Sequence, residues 1–267
     1  MSDISSKALV MNPSGLAHDV RVGPFSFVGP EVTIGAGTVL HSHVTVTGRT
    51  QIAGECELFP GCVVGAPPVG VAEADAGQCV LDERNVIREH VIIAAGAPGG
   101  RGTLLGPTNL FMVGCQVGHD ASVAGEGLFA NFTRIGQGAG IEKFVRTSGL
   151  TVISDYATVG AYSFTTGYAS VERDAPPYVI MQGLPSRVRS INVENLRRCG
   201  FDADTIQCLK STFRMLFNGS VTFPPPEALQ AAEEASDNEH VRILVDFLRR
   251  SADCPTGRWL EPAEEAC

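Results

Sequence analysis

Residues 20–52 read VRVGPFSFVGPEVTIGAGTVLHSHVTVTGRTQI, and within them Val22, Val28, Ile34, Leu40, Val46 and Ile52 stand six residues apart. The beat begins at Ile4, Val10 and Leu16, continues to Leu58 and Val64, and returns at Leu81, Ile87 and Ile93. From Leu105 it passes through Phe111, Val117, Val123, Phe129, Ile135, Ile141, Ile153, Val159 and Val171, with Thr147 and Thr165 as polar entries. Neither a helix nor an alternating strand sustains a period of six. A triangular coil does, because each hexad supplies one short strand and one corner. The aliphatic residue points inward, and the small or β-branched residue four places later (Ser26, Val32, Thr38, Val44, Thr50, Cys56, Cys62) fills the remaining interior. Glycines that follow the aliphatic residue, such as Gly23, Gly118 and Gly136, are expected to relieve the backbone at the corner. One hexad cannot bury its own apolar side, so stacked coils must share a core. The pattern predicts a mainly β fold, a parallel β-helix whose hand the spacing leaves open.

Two slips of register are rich in Gly, Pro and Ala and predict loops at 66–79 and 94–104. Insertions on one side of a solenoid commonly shape its binding face. After about Ser190 the beat gives way to helical spacing. Helices are predicted over 192–199, ending at Gly200, then over 204–217, 227–235 and 239–250, with a triple proline before the third. The expected division is a β-helix over 1–188 and a C-terminal helical domain over 189–267, with 251–267 as a poorly ordered tail.

The 29 acidic residues outnumber 20 Lys and Arg, a net charge of −9 that argues against general nucleic-acid binding. No apolar run approaches a membrane span, and the opening MSDISSK lacks a signal-peptide core, so no integral membrane segment and a cytoplasmic location are expected. The eight cysteines include no C-x-x-C pair, and Cys56, Cys62 and Cys115 occupy the small interior place as core filler.

Six histidines are present. His119 stands two places after the inward Val117, at a corner and facing out, and is followed by Asp120. An outward histidine oriented by a carboxylate has the makings of a general base. His18-Asp19 shares both the phase and the pair, so the motif alone does not decide. The bland reading, a solvated corner histidine, is assigned to His18, His41, His90 and His240, and His43 is read as wall packing. A zinc enzyme on this coil needs three convergent histidines. Only His90 and His119 lie in suitable coils, so no metal and no cofactor are expected.

The segment Asn109 to Val123 (NLFMVGCQVGHDASV) resembles the active-site stretch of bacterial UDP-N-acetylglucosamine O-acyltransferases, which act first in lipid A biosynthesis. RNVIREHV at Arg84–Val91, APPYVIMQG at Ala175–Gly183 and INVENLRRCGF at Ile191–Phe201 carry the resemblance over nearly the whole chain. It implies a left-handed β-helix, a homotrimer with sites between subunits, and transfer of a 3-hydroxyacyl group from acyl carrier protein to the sugar 3-hydroxyl of UDP-N-acetylglucosamine. His119 matches the general base, Asp120 the carboxylate that orients it, and Gln137 the backbone oxyanion donor. Asn192, Glu194 and Arg198 match nucleotide contacts, Asp155 a substrate contact, and Gly167 the floor of the acyl tunnel. Arg134, Lys143, Arg146, Arg173, Lys210 and Arg214 are candidates for docking an acidic carrier protein.

The chain departs from that pattern at several places. The family's D-L-K-Y-x-G-E loop is replaced by PPVGVAEADAGQ, without Lys or Tyr. Ala94, Gln116 and Gly138 stand where the family has histidines, Ser154-Asp155-Tyr156 replaces H-Q-F, and Cys199 replaces an arginine. Two alternatives therefore stand beside the leading reading: a hexapeptide acyltransferase with another nucleotide sugar or acyl donor, and a non-catalytic structural homologue.

Overall fold

A computed structural model describes residues 3–217 and 224–262. From Asp3 to Val171 the chain winds as a triangular parallel β-helix with three faces. Leu110–Phe111 lies on face I, Gln116–Val117 on face II and Ser122–Val123 on face III. Up to Val171, where no loop intervenes, each residue pairs with the one eighteen positions on: Leu110 with Leu128, Gln116 with Arg134, Ser122 with Gly140; the last coil is two residues shorter, with Phe164 paired to Ile180. Three hexads therefore make one coil. From Val22 to Val171 every beat position is at most 3% exposed. Phe111 and Phe129 stack inside with ring centroids 4.7 Å apart. The polar entries are satisfied within the core, Thr147 by Thr133 (Oγ1···Oγ1 2.8 Å) and Thr165 by Thr151 (3.2 Å). The thiols of Cys62 and Cys115 donate to backbone carbonyls, and burial pushes each up to about 11, so both remain neutral.

The corners differ from the sequence expectation. Apart from Gly65 (φ +83°), the glycine after the aliphatic residue does not carry the left-handed backbone, and at Gly23, Gly118 and Gly136 it is required by close approach. A Cβ on Gly118 would lie 2.6 Å from the Gln137 amide nitrogen, and one on Gly136 2.5 Å from that of Asp155. Positive φ falls two residues later, at Asp120, Phe132, Phe144, Tyr156, Tyr162, Tyr168 and Tyr178 among others. Most of these are bulky, in a region that costs a side-chain-bearing residue roughly 1–2 kcal/mol. Stacking down the edge offsets that cost: Phe144 on Tyr162 (4.9 Å) and Tyr162 on Tyr178 (5.9 Å).

After Val171 a hairpin of Val179–Gly183 and Ser186–Ile191 closes face I, running across the expected domain junction. Among the described residues four helices follow: α1 (Val193–Arg198), α2 (Ala203–Leu216), α3 (Pro226–Glu234) and α4 (Glu239–Ala252). Asn192, Asp202 and Asn238 cap the first, second and fourth. His240 is not a solvated residue: its ring meets the Tyr178 hydroxyl at 3.1 Å and packs on Phe201, tying α4 to the coil. His41 is likewise engaged, with Glu57 at 2.8 Å.

The expected poorly ordered tail is corrected over its described part. Residues 253–262 fold back on the coil because Asp174 receives the Trp259 amide (3.1 Å) and donates its own to the Gly257 carbonyl (2.8 Å). Trp259 packs edge-on against Phe247 of α4. Residues 263–267 lie outside the described residues. No described helix is long and apolar enough to cross a membrane.

Three edges run along the prism. Edge I–II carries Leu150 and Gly167, edge II–III carries His119 and Gln137, and edge III–I carries Phe144 and Tyr162. The two loops, 67–78 and 95–102, both leave face II and re-enter on face III. Replacing Phe129 by Ala, at the centre of the interior stack, should lower the unfolding free energy by about 3–5 kcal/mol in urea denaturation; a loss below about 1 kcal/mol would contradict this packing.

Candidate active site

Edge II–III gathers most of the chemistry in the chain. On successive coils it stacks Gly118-His119-Asp120, Gly136-Gln137-Gly138, Ser154-Asp155-Tyr156 and Glu172-Arg173-Asp174. Backbone bonds hold the stack: Gly138 donates to the His119 carbonyl and Tyr156 to that of Gln137, each at 2.8 Å. The eighteen-residue stride explains what the hexad phase left undecided. His18-Asp19 has the phase of His119-Asp120 but lies on edge III–I, and among the described residues it lacks the ring–carboxylate bond.

His119 Nδ1 lies 2.9 Å from Asp120 Oδ2, with the side chains 26% and 14% exposed. Loop 95–102 wraps the carboxylate. The Ala97 amide donates to Oδ2 (3.0 Å) and the Gly102 amide to Oδ1 (2.8 Å). Burial pushes the Asp120 carboxyl up, but these two amides and the His119 ring outweigh it, and its pKa falls below the ordinary value. An ionised carboxylate only accepts, so Nδ1 of His119 carries the proton and Nε2 is the basic nitrogen. Sequence reasoning found the pair and missed the loop donors; the glycine-rich run Gly99-Gly100-Arg101-Gly102 was their one signal.

Gln137 is one coil below His119. Its amide donates to Asp155 Oδ1 at 3.1 Å, and Arg134 Nη2 approaches the same oxygen at 3.5 Å. The expected oxyanion donor is thus covered by a carboxylate of its own chain. Arg134, Gln137, Asp155 and Tyr156 line a cleft of about 290 Å3, closed on another side by Arg258 and Glu261 of the returning C-terminal segment. Those two residues were not anticipated.

The other expected site residues lie elsewhere on the chain. Gly167 is exposed on edge I–II, where a Cβ would meet only ordinary contacts, 3.5 Å from Ser148 Oγ. Asn192 is buried and spent on structure, its amide donating to the Tyr162 carbonyl (2.8 Å) and its oxygen capping α1. Glu194 and Arg198 pair at 3.0 Å on the exposed side of α1. That helix rests on edge III–I, since Asn195 donates to the carbonyls of Phe144 and Tyr162. Of the basic residues, Arg134 is on face II, Arg173 on edge II–III, Lys143 on edge III–I, and Lys210 and Arg214 on α2. Arg146, on face I, donates to Asn195.

Residues 174–255 match the family described as UDP N-acetylglucosamine O-acyltransferase, domain 2. The solved structure of LpxA from Acinetobacter baumannii is 30% identical, with 92% of this chain and 96% of that one covered and a TM-score of 0.85. The chain belongs to the UDP-N-acetylglucosamine acyltransferase family. LpxA from Bacteroides fragilis, a UDP-N-acetylglucosamine acyltransferase, is 26% identical over 92% and 96% of the two chains, TM-score 0.85. The UDP-N-acetylglucosamine acyltransferase of Francisella novicida is 26% identical over 91% and 90%, TM-score 0.75. Such agreement along the whole coil fixes its hand as left-handed, as the resemblance implied.

The pH behaviour of the pair follows from the Asp120 shift. A depressed folded pKa gives stability that is full above the unfolded value, about 3.9, and lost as pH falls through the folded value. The melting-temperature gap between wild type and Asp120→Ala should therefore persist from neutral pH to about 4 and close below it. A gap that widens on acidification would contradict the assignment.

Proposed function

We propose that this protein transfers a 3-hydroxyacyl group from acyl carrier protein to the 3-hydroxyl of UDP-N-acetylglucosamine, the first step of lipid A biosynthesis, in the cytoplasm. The observation that carries the reading is the His119–Asp120 pair, with the carboxylate held by two loop amides so that Nε2 is left as the base. Nε2 takes the hydroxyl proton as the sugar oxygen attacks the thioester carbonyl. The tetrahedral intermediate collapses with release of the pantetheine thiolate, which recovers the proton from the imidazolium. Such assistance is typically worth ~10²–10⁴ in rate.

The Gln137 amide suits the developing oxyanion only when Asp155 has left it. Arg134 is placed to receive that carboxylate, being already 3.5 Å from it. Asp155 then stands beside the bound acceptor rather than under the oxyanion.

The distribution over edges supports a homotrimer. His119, Gln137 and Asp155 are on edge II–III, Gly167 on edge I–II, and Glu194 and Arg198 beside edge III–I. One prism cannot turn all three edges toward one substrate, whereas clefts between neighbouring copies can. Arg198 offers a planar fork suited to the diphosphate. Asn192 serves that contact indirectly, by anchoring α1. The changed positions Ala94, Gln116, Gly138 and Asp155 all lie on face II or edge II–III around His119, which favours an acceptor altered from the family's as the second reading.

Transfer from a panel of 3-hydroxyacyl carrier proteins to UDP-N-acetylglucosamine and related UDP-sugars, with wild type and His119→Ala in parallel, tests this directly. We expect turnover with one acceptor and its loss by about 10²-fold or more in the variant; retained turnover in His119→Ala removes it as base. Gly167→Met, at a position with room for a side chain, should shift preference to shorter acyl chains. Unchanged preference would place the tunnel floor elsewhere.

A further inference from the structure

Arg101 has no counterpart among the residues assigned a role above, yet it spans the base and the donor. It is an exposed residue on the returning arm of loop 95–102. Its Nε donates to the Asp120 carbonyl at 2.7 Å, and its Nη2 to the Gly138 carbonyl on the next coil. One planar guanidinium thus holds the corner of His119 to the corner of Gln137. The loop it anchors is shaped to its purpose. Ala97 and Gly102 supply the amides to the Asp120 carboxylate, and the Asp120 amide is itself received by the buried Thr103 hydroxyl at 3.0 Å. Gly100 lines the cradle so closely that a Cβ there would lie 2.4 Å from Asp120 Oδ1 and 2.7 Å from Oδ2. Gly100 has no positive φ, so its lack of a side chain answers to the carboxylate and not to backbone strain.

We propose that Arg101 is a positioning residue: it clamps loop 95–102 across two coils, so that the loop sets the Asp120 carboxylate against His119 Nδ1 and fixes the base relative to the Gln137 amide. The inference rests on His119 being the base. Arg101 acts through Asp120 and touches no reacting atom. Its loss should lower kcat and leave the KM for the sugar nucleotide nearly unchanged. A base misplaced by a fraction of an ångström to 1 Å costs up to about 10²-fold. The charged group against the Asp120 carboxylate is the His119 ring, and its two amide donors belong to the loop that Arg101 holds, so its titration reports on the clamp.

The test compares wild type, Arg101→Ala, Arg101→Lys, Gly100→Ala and His119→Ala, with Met11→Ser on the first coil as a control at an exposed position. Two quantities are read: kcat and KM for transfer as a function of pH, and the Asp120 carboxyl titration followed by carbon-13 NMR. We expect Arg101→Ala and Gly100→Ala to lower kcat by about tenfold to 10²-fold and to move the Asp120 titration up toward the ordinary aspartate value. Arg101→Lys, which can still reach one carbonyl, should recover part of both, and Met11→Ser should change neither. If His119→Ala is inactive while Arg101→Ala keeps the wild-type kcat and Asp120 titration, the clamp is overturned and the base stands. If His119→Ala keeps turnover, the base assignment falls and the catalytic role of the clamp falls with it.

Discussion

The inter-coil backbone hydrogen bond is the constraint on which the rest depends. Parallel strands one coil apart lie about 4.8 Å from each other, and from Leu105 to Val171 the coils take eighteen residues, so residue i rests on residue i + 18. That rule packs Phe111 on Phe129 inside and Phe144 on Tyr162 outside. It also puts His119, Gln137, Asp155 and Arg173 in one column, although no two of them are neighbours in sequence. The glycines at 118 and 136 serve the same rule, because a side chain there would collide with the coil below.

Much of this was legible from the chain alone. The beat, the interior cysteines, the positions of both loops and the four helices follow from apolar periodicity and its breaks. What period six hides is the choice of edge, because all three edges share one hexad phase. Only the coil length, eighteen residues, separates His119-Asp120 from His18-Asp19. Sequence also could not show that the corner glycines serve close approach while aromatic residues accept positive φ. That depends on a neighbour eighteen positions away.

The returning C-terminal segment was missed for a related reason. Ser251–Pro262 has no periodicity and reads as a tail, but Asp174 gives it an anchor. This carboxyl is buried, which pushes it up to about 6, and it receives amides from Thr158 (2.7 Å) and Trp259 (3.1 Å). The segment then places Arg258 and Glu261 against the cleft beside Gln137. Loop 67–78 approaches the same edge from the opposite end, where the Gly77 amide meets the Gly96 carbonyl at 2.6 Å. Both loops and the C-terminal return thus converge on edge II–III, while Gly167 and α1 face away from it.

The proposal of a site shared between copies rests on that geometry. It is tested most directly by co-expressing two differently tagged chains, one His119→Ala and the other Arg198→Ala, and assaying the purified mixed assemblies against each variant alone. If His119 of one copy works with Arg198 of another, each variant alone is impaired and the mixed assemblies recover activity, because some clefts then hold both native residues. If mixed assemblies are no more active than the two variants assayed separately, each chain builds its own site and the account is wrong.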